Sequence, residues 1–465
     1  MSVARASIAS RLAAIAGSAH VSADPTQLAP YAIDGKTPAA VARPGSAEEA
    51  AEIVKFAAAE SLAIVPAGAR TKLSMGMPPR EYDLALDVSR LDRVVAYDPG
   101  DLTLGVEAGI PLRALAATLA EHRQFLPLAP PFMNRATAGG TIASGVDSPL
   151  RQFYGAARDY VLGMEFITGD GALVKSGGRV VKNVAGYDLH KLMIGALGTL
   201  GVITKINFRT FPLPASSRAF VAAFDSASGA LGMRDRVAQS PLAPATLEIL
   251  SPGAAALLAG DAAVRVEGNS LGASLLSATS WNCAASFAGN EAVIARYERE
   301  LRRMAEESGA VDASVLDADH TSHALDRIRE FAPIALESSS ATIILKIGVP
   351  PARMKEILEA AADAAEADSL SWAALARGMG VIYFALLPQE CSEEARLIAT
   401  RTTGEILAAS SALGGHATIP WCPSEWKSAL AVWGRAGGDF SAMENLKKAF
   451  DPRGVFSPGR FVGGL

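Results

Sequence analysis

Apolar and polar positions alternate in two regimes along this chain, and the regime changes at Pro212-Leu213-Pro214. Before that point short apolar runs alternate with glycine-bearing bends. Residues 2–17 predict a helix and residues 24–31 a second helical turn. Residues 40–44 predict a strand closed by Pro44. Ser46, with Glu49 three residues on, predicts a capped helix through Glu60. Residues 62–65 form a short apolar run, the mark of a buried strand. Residues 84–88, 94–97 and 102–107 are strand-like, with turns at Asp98-Pro99-Gly100 and Ala108-Gly109. Residues 112–121 predict a helix with Pro111 at its first turn. Residues 127–141 are irregular, residues 160–168 and 172–175 pair around Gly169-Asp170-Gly171, and residues 202–211 form a further strand.

After Pro214 glycine-rich bends become rare and strands alternate with longer helices. Strands are predicted at 219–224, 246–250, 280–287, 342–348 and 381–387, and helices at 291–307, 323–331, 353–367 and 392–412. That pattern gives a second domain over residues 218–420, an antiparallel sheet with helices on one face. Residues 439–465 hold a last helix ended by Asp451-Pro452.

Composition narrows the function. The chain has 465 residues, 50% of them hydrophobic and 20% charged, with a net charge of −5. Two or three domains are expected at this length, and the dispersed acidic balance argues against a nucleic-acid binder. Cys283, Cys391 and Cys422 are too far apart in sequence to hold an iron–sulfur cluster and suit a reducing compartment. No run is long and apolar enough to span a bilayer, and residues 1–19 do not read as a signal peptide. A cytoplasmic protein follows, touching a membrane only through partners.

Three glycine-bearing stretches carry the chemistry. The first, Val65-Pro66-Ala67-Gly68-Ala69-Arg70-Thr71-Lys72, follows a buried strand and offers successive amides, the makings of an anion-binding nest. The second spans residues 136–145 around Gly139-Gly140, where Thr137 and Ser144 bring hydroxyls. The third runs Lys182-Asn183-Val184-Ala185-Gly186-Tyr187-Asp188-Leu189, continues through Gly195, Gly198 and Gly201, and enters the strand at Val202. Glycine lets main chain approach a large ligand closely. Neither Gly-x-Gly-x-x-Gly nor a Walker sequence is present. The expectation is one extended dinucleotide gripped at several points.

The order of these stretches resembles the flavoprotein superfamily of vanillyl-alcohol oxidase and p-cresol methylhydroxylase (PCMH). The runs Gly155-Ala156-Ala157-Arg158-Asp159 and Lys182 to Leu189 are similar to the FAD-binding E subunits of bacterial glycolate oxidases. So are Gly414-Gly415-His416-Ala417-Thr418 and the later Phe450-Asp451-Pro452, Gly454 and Pro458-Gly459-Arg460. The resemblance implies an α+β protein. A helical segment (1–39) precedes a PCMH-type two-part FAD-binding domain (40–215). An α+β cap domain with an antiparallel sheet follows (216–420), and residues 421–465 return to the FAD domain. It implies pyrophosphate contacts at Pro66, Ala67, Gly68, Ala69, Arg70 and Thr71, and second-loop contacts at Thr137, Gly139, Gly140 and Ser144. Adenine-side and backbone contacts fall at Val161, Asn183, Gly186, Gly201, Val202 and Ile203. The first loop lacks the histidine through which some members attach flavin, so non-covalent FAD is expected. Ala67 and Ala69 stand where relatives often carry glycine, and Ser457 where many carry asparagine.

Oxidising a 2-hydroxy acid requires a base for the hydroxyl and a cation for the carboxylate. His416 is the candidate base, with a structural histidine at a strand edge as the alternative. Arg377, beside Gly378 and Gly380, is the candidate cation, with a loop salt bridge as the alternative. His320 and His323 lie at i,i+3 among acids and read as a solvated helix start, so no metal site is expected. Tyr383 and Trp372 read as core residues.

By resemblance, then, the chain is an FAD-dependent oxidoreductase of 2-hydroxy acids. Its partners are a small 2-hydroxy-acid substrate, a second flavoprotein subunit and an iron–sulfur subunit. It is cytoplasmic, or peripheral at the inner membrane through a complex. The alternatives are a stand-alone D-lactate type dehydrogenase, a non-catalytic flavin-bearing scaffold, and an NADPH-linked reductase of the same fold.

Overall fold

Parallel strands cannot be joined by a tight turn, so the helix Ala47–Glu60 carries the chain from the strand Ala40–Ala42 to the strand Ile64–Ala67. Ser46 Oγ accepts from the Glu49 amide at 3.1 Å. Glu49 accepts from the Gly45 amide at 2.7 Å, one residue earlier than a capping box would have it. Ile53, Val54 and Ala57 on the inner stripe are wholly buried. The two strands flank Leu84–Asp87 in a four-stranded sheet, parallel except for Val21–Ser22 at one edge. Phe456 adds a parallel bridge to Ile64.

In this computed structural model residues 3–180, 186–259 and 276–465 are described. They divide into two units interleaved in sequence. One holds residues 1–147, 156–213 and 435–465, and the other residues 148–155 and 214–434. The first unit also contains five antiparallel strands in the order Val94–Asp98, Thr103–Glu107, Val202–Arg209, Val161–Ile167, Leu173–Gly177. The four- and five-stranded sheets give to one core, in which Phe166, Phe208 and Phe456 are fully buried and the helix Val3–Ala16 adds Leu12 and Ala16.

The second unit is an eight-stranded antiparallel sheet. Its order is Asp312–Leu316, Ser217–Phe224, Trp281–Ala288, Thr246–Leu250, Trp372–Arg377, Val381–Leu386, Ile343–Gly348, His416–Trp421. Period-two alternation sorts its faces. Phe220, Leu247, Ile249, Ile347 and Phe384 share one, all buried. Thr246, Glu248, Arg377, Tyr383, Lys346 and Thr418 share the other.

The expected antiparallel sheet with helices is present, with three strands beyond the five predicted: Asp312–Leu316, Trp372–Arg377 and His416–Trp421. Arg377 therefore ends a strand, where a loop was expected. The helices Ala227–Ala238 and Pro252–Ala259 are likewise additional, and the helix expected at 323–331 starts earlier, as Ala318–Arg329. Residues 127–141, expected to be irregular, end by entering a helix, Ala138–Ser144. Among the described residues no helix is long and apolar enough to cross a membrane.

Candidate functional site

The strand Ile64–Ala67 ends in a bend whose shape is set by Arg70. That residue sits at φ 63°, a left-handed conformation that costs an L-residue roughly 1–2 kcal/mol. Three contacts hold it there. Arg70 Nη1 reaches Asp87 Oδ2 at 3.1 Å and Tyr31 Oη at 3.2 Å, and its guanidinium lies 4.8 Å from the centre of the Tyr31 ring. Asp87, 1% exposed, also accepts from the Tyr31 hydroxyl and from the Ser89 amide at 2.8 Å. Burial, and then the Asp87 carboxylate, hold the Tyr31 phenol above its ordinary range. Arg70 is thus anchored by its side chain, and what it presents is main chain. Among the described residues nothing accepts from the amides of Ala69, Arg70 and Thr71. Three successive unclaimed N–H groups after a strand form an anion nest.

The glycines do something other than what their sequence positions suggest. They let the loops touch each other. A Cβ on Gly68 would stand 2.4 Å from Thr137 Oγ1, one on Gly145 2.8 Å from the Gly195 Cα, and one on Gly198 3.1 Å from the Pro66 ring. Backbone bonds complete the junction: Gly195 N–H donates to Ile142 O at 2.9 Å, and Leu197 N–H to Ala143 O at 2.8 Å. The three loops are therefore one packed assembly.

Between them lies an open cleft. Pro66 to Thr71 line one side, Thr137, Gly139, Gly140 and Ser144 another, and Gly201, Val202 and Ile203 the third. Lys72, Leu73, Val88, Ala143, Leu197, Gly198 and Arg460 also line it. Among the described residues the lining contains three cations, Arg70, Lys72 and Arg460, and no acid. An apolar wall with an amide nest and positive charge suits a phosphate-linked aromatic cofactor. The hydroxyls contribute less than expected. Ser144 Oγ donates to Thr141 O at 3.0 Å, and Thr137 Oγ1 caps its own helix through the Gly140 amide at 3.3 Å.

Other expected residues stand elsewhere. Asn183 lies outside the described residues, with the first half of its motif. Gly186, at φ 78°, and Val161, 3% exposed, do not line this cleft. A buried histidine ties both neighbourhoods together: His190 Nδ1 lies 3.0 Å from Ser176 Oγ, which donates to Tyr187 O at 3.2 Å, and the ring also bonds the Val161 backbone. Burial lowers the His190 pKa; Asp188 opposes this and Lys191 adds to it. The unfolded chain, titrating near 6.5, then binds more protons, so stability falls as pH drops through about 6.5. His190→Phe is expected to flatten the fall in Tm between pH 7 and 5; a slope equal to the parent's counts against this.

In the second unit Arg377 and Glu248 face each other on paired strands, bonded at 2.9 Å, with side chains 5% and 1% exposed. Arg377, expected as the carboxylate-binding cation with a salt bridge as the alternative, is thus half of a buried ion pair. His416 is exposed at the start of the edge strand. Lys346 sits directly between Tyr383 and Thr418 in the strand register and, among the described residues, forms no hydrogen bond or ion pair. The buried Tyr383 hydroxyl has no partner either. Both were hidden in sequence, since nothing local shows which strand faces Lys346. His320, expected at a solvated helix start, bonds the capping residue Asp317 at 2.8 Å.

Comparison with known proteins gives two family matches. Residues 38–177 match an FAD binding domain, and residues 213–419 and 427–461 match the C-terminal domain of FAD linked oxidases. Glycolate oxidase subunit GlcD of Bacillus subtilis is 25% identical over 425 residues, 91% of this chain and 88% of that protein. Glycolate oxidase subunit GlcE of Escherichia coli is 40% identical over 167 residues, 36% of this chain and 47% of that protein. A D-lactate dehydrogenase of Anaerostipes hadrus is 26% identical over 442 residues, 92% of this chain and 90% of that one. Substrate-bound p-cresol methylhydroxylase shares the fold, with TM-score 0.79 at 15% identity over 99% of this chain and 97% of that one.

Proposed function

The chain belongs to the FAD-linked oxidases, and from that premise we propose that it is an E-type FAD-binding subunit of a glycolate oxidase. In this reading it takes part in oxidising a small 2-hydroxy acid to a 2-oxo acid. Electrons leave to an iron–sulfur subunit, a second flavoprotein subunit stands alongside, and any membrane contact is made through those partners. One observation carries the reading: three unclaimed amides in a cleft lined, among the described residues, by cations and no acid. They suit a pyrophosphate, with the first, second and third loops holding FAD non-covalently.

Bound FAD supplies the two-electron acceptor. The chain's own residues bind the acid and take its proton. On the polar sheet face Lys346 offers an unpaired ammonium and Tyr383 an unclaimed hydroxyl, a pair suited to a carboxylate. His416, on the same face and exposed, is the proposed base. Arg377 contributes through Glu248, holding that face in register.

A second reading has a specific support. The D-lactate dehydrogenase aligns along nearly the whole chain, which fits a stand-alone enzyme with its own substrate pocket. Anaerobic titration of the purified chain with glycolate and D-lactate tests both. A yellow protein bleached only when the partner subunits are present supports the subunit. Bleaching of the chain alone supports the stand-alone enzyme. A yellow protein bleached in neither setting overturns both in favour of a scaffold.

A further inference from the structure

Two cations in the segment 447–460, one buried and one partly buried, reach the loops of the cleft. Arg460 is 3% exposed. Its Nη2 donates to the carbonyls of Leu73 and, at 2.6 Å, Met75, and its Nε to Met77 O at 3.4 Å. Those carbonyls belong to the stretch just after the nest. The same segment grips the strand before it: Ile64 N–H donates to Val455 O at 2.7 Å and Ser457 N–H to Ile64 O at 2.8 Å. Both stems of the first loop are therefore held by one later piece of chain. Lys447 does the same for the third loop, donating to Thr199 O at 2.8 Å while bonded to Phe456 O at 2.8 Å and Asp451 Oδ2 at 2.6 Å.

We propose that Arg460 and Lys447 are positioning residues for the dinucleotide, so that FAD binding and the docking of segment 447–460 strengthen each other. This rests on the FAD reading above. The physical case has two parts. A planar guanidinium holds its donors in a rigid fork, where an ammonium is a rotatable point charge, so Arg460 fixes the peptide planes that follow the nest. It also lines the cleft, where its charge favours an anion. Burial lowers its pKa only to about 10, so the charge persists at neutral pH; Asp34 and Tyr82 are the groups that oppose the shift. Lys447 is likewise pushed down by burial and supported by Asp451, against Arg80. Coupling between two events is reciprocal, so FAD must protect the segment as the segment retains FAD.

The test uses full-length protein freed of flavin. FAD affinity is measured by fluorescence quenching for the parent, Arg460→Lys, Arg460→Met and Lys447→Met, with ADP as a competing probe and hydrogen exchange followed at residues 73–77 and 455–460. Parent binding establishes the FAD reading by itself; a parent that binds no FAD refutes that reading, not the coupling alone. Arg460→Met is expected to lose roughly 10- to 100-fold in FAD and ADP affinity, with Arg460→Lys between it and the parent. FAD is expected to slow exchange in both segments of the parent and less so in the variants. If Arg460→Met fails to fold, Arg460→Lys decides: a variant with the parent's Tm but weaker FAD binding supports the proposal. Parent-like affinity in folded variants, or exchange at 455–460 indifferent to FAD, overturns it.

Discussion

Asp87→Ala is expected to destabilise the protein by about 3–5 kcal/mol, the usual consequence of removing one partner from a buried charged network. The carboxylate accepts from the Tyr31 hydroxyl, the Arg70 guanidinium and the Ser89 amide, and Arg43 Nε stands 3.8 Å away. Alanine leaves the Tyr31 hydroxyl and the Arg70 charge without their anion. It also frees Arg70 from the contact that stabilises its left-handed backbone, so the nest loosens. Asp87→Asn keeps the shape and loses the charge, and should fall between alanine and the parent. Urea unfolding with an unchanged slope gives the stability, and FAD titration of the folded variants gives the coupling to the cleft. A loss below about 1 kcal/mol for Asp87→Ala would falsify the anchoring role.

Glu248→Ala should be as damaging, about 3–5 kcal/mol, because it removes the carboxylate bonded to Arg377 inside the sheet. The informative variant is the double one. Replacing both members with apolar residues of similar size, Glu248→Leu with Arg377→Met, is expected to return to within about 1–2 kcal/mol of the parent. Such a recovery identifies the pair as a closed structural unit. A double variant as unstable as Glu248→Ala shows that other groups depend on Arg377, and would reopen its role as a cation for the substrate.

Much of the first unit was legible because its signals are local. Ser46 and Glu49 mark the start of the helix Ala47–Glu60, and Gly169-Asp170-Gly171 marks the turn between Val161–Ile167 and Leu173–Gly177. The missed strand Trp372–Arg377 reads Trp-Ala-Ala-Leu-Ala-Arg. Alanine carries no strand preference, and burial on both faces erases the alternation that would have revealed it. The cleft was legible in the order of its loops but not in the reason for their glycines, since sequence shows that a Cβ is absent and not what would collide with it. Asp87 and Arg460 could not be read as parts of the site, because each acts through residues remote in sequence. The third loop's Asn183 lies outside the described residues.

The bridge between Ile64 and Phe456 implies an order of events on the ribosome. By the time Phe456 is made, the whole of residues 214–434 has been synthesised, and that unit can fold as an independent domain. The sheet built on residues 21–87 must meanwhile wait with an unsatisfied edge. Newly made chains are therefore most exposed to chaperones and proteases around that sheet, and an arrest of translation before Phe456 should leave it sticky while residues 214–434 can already fold.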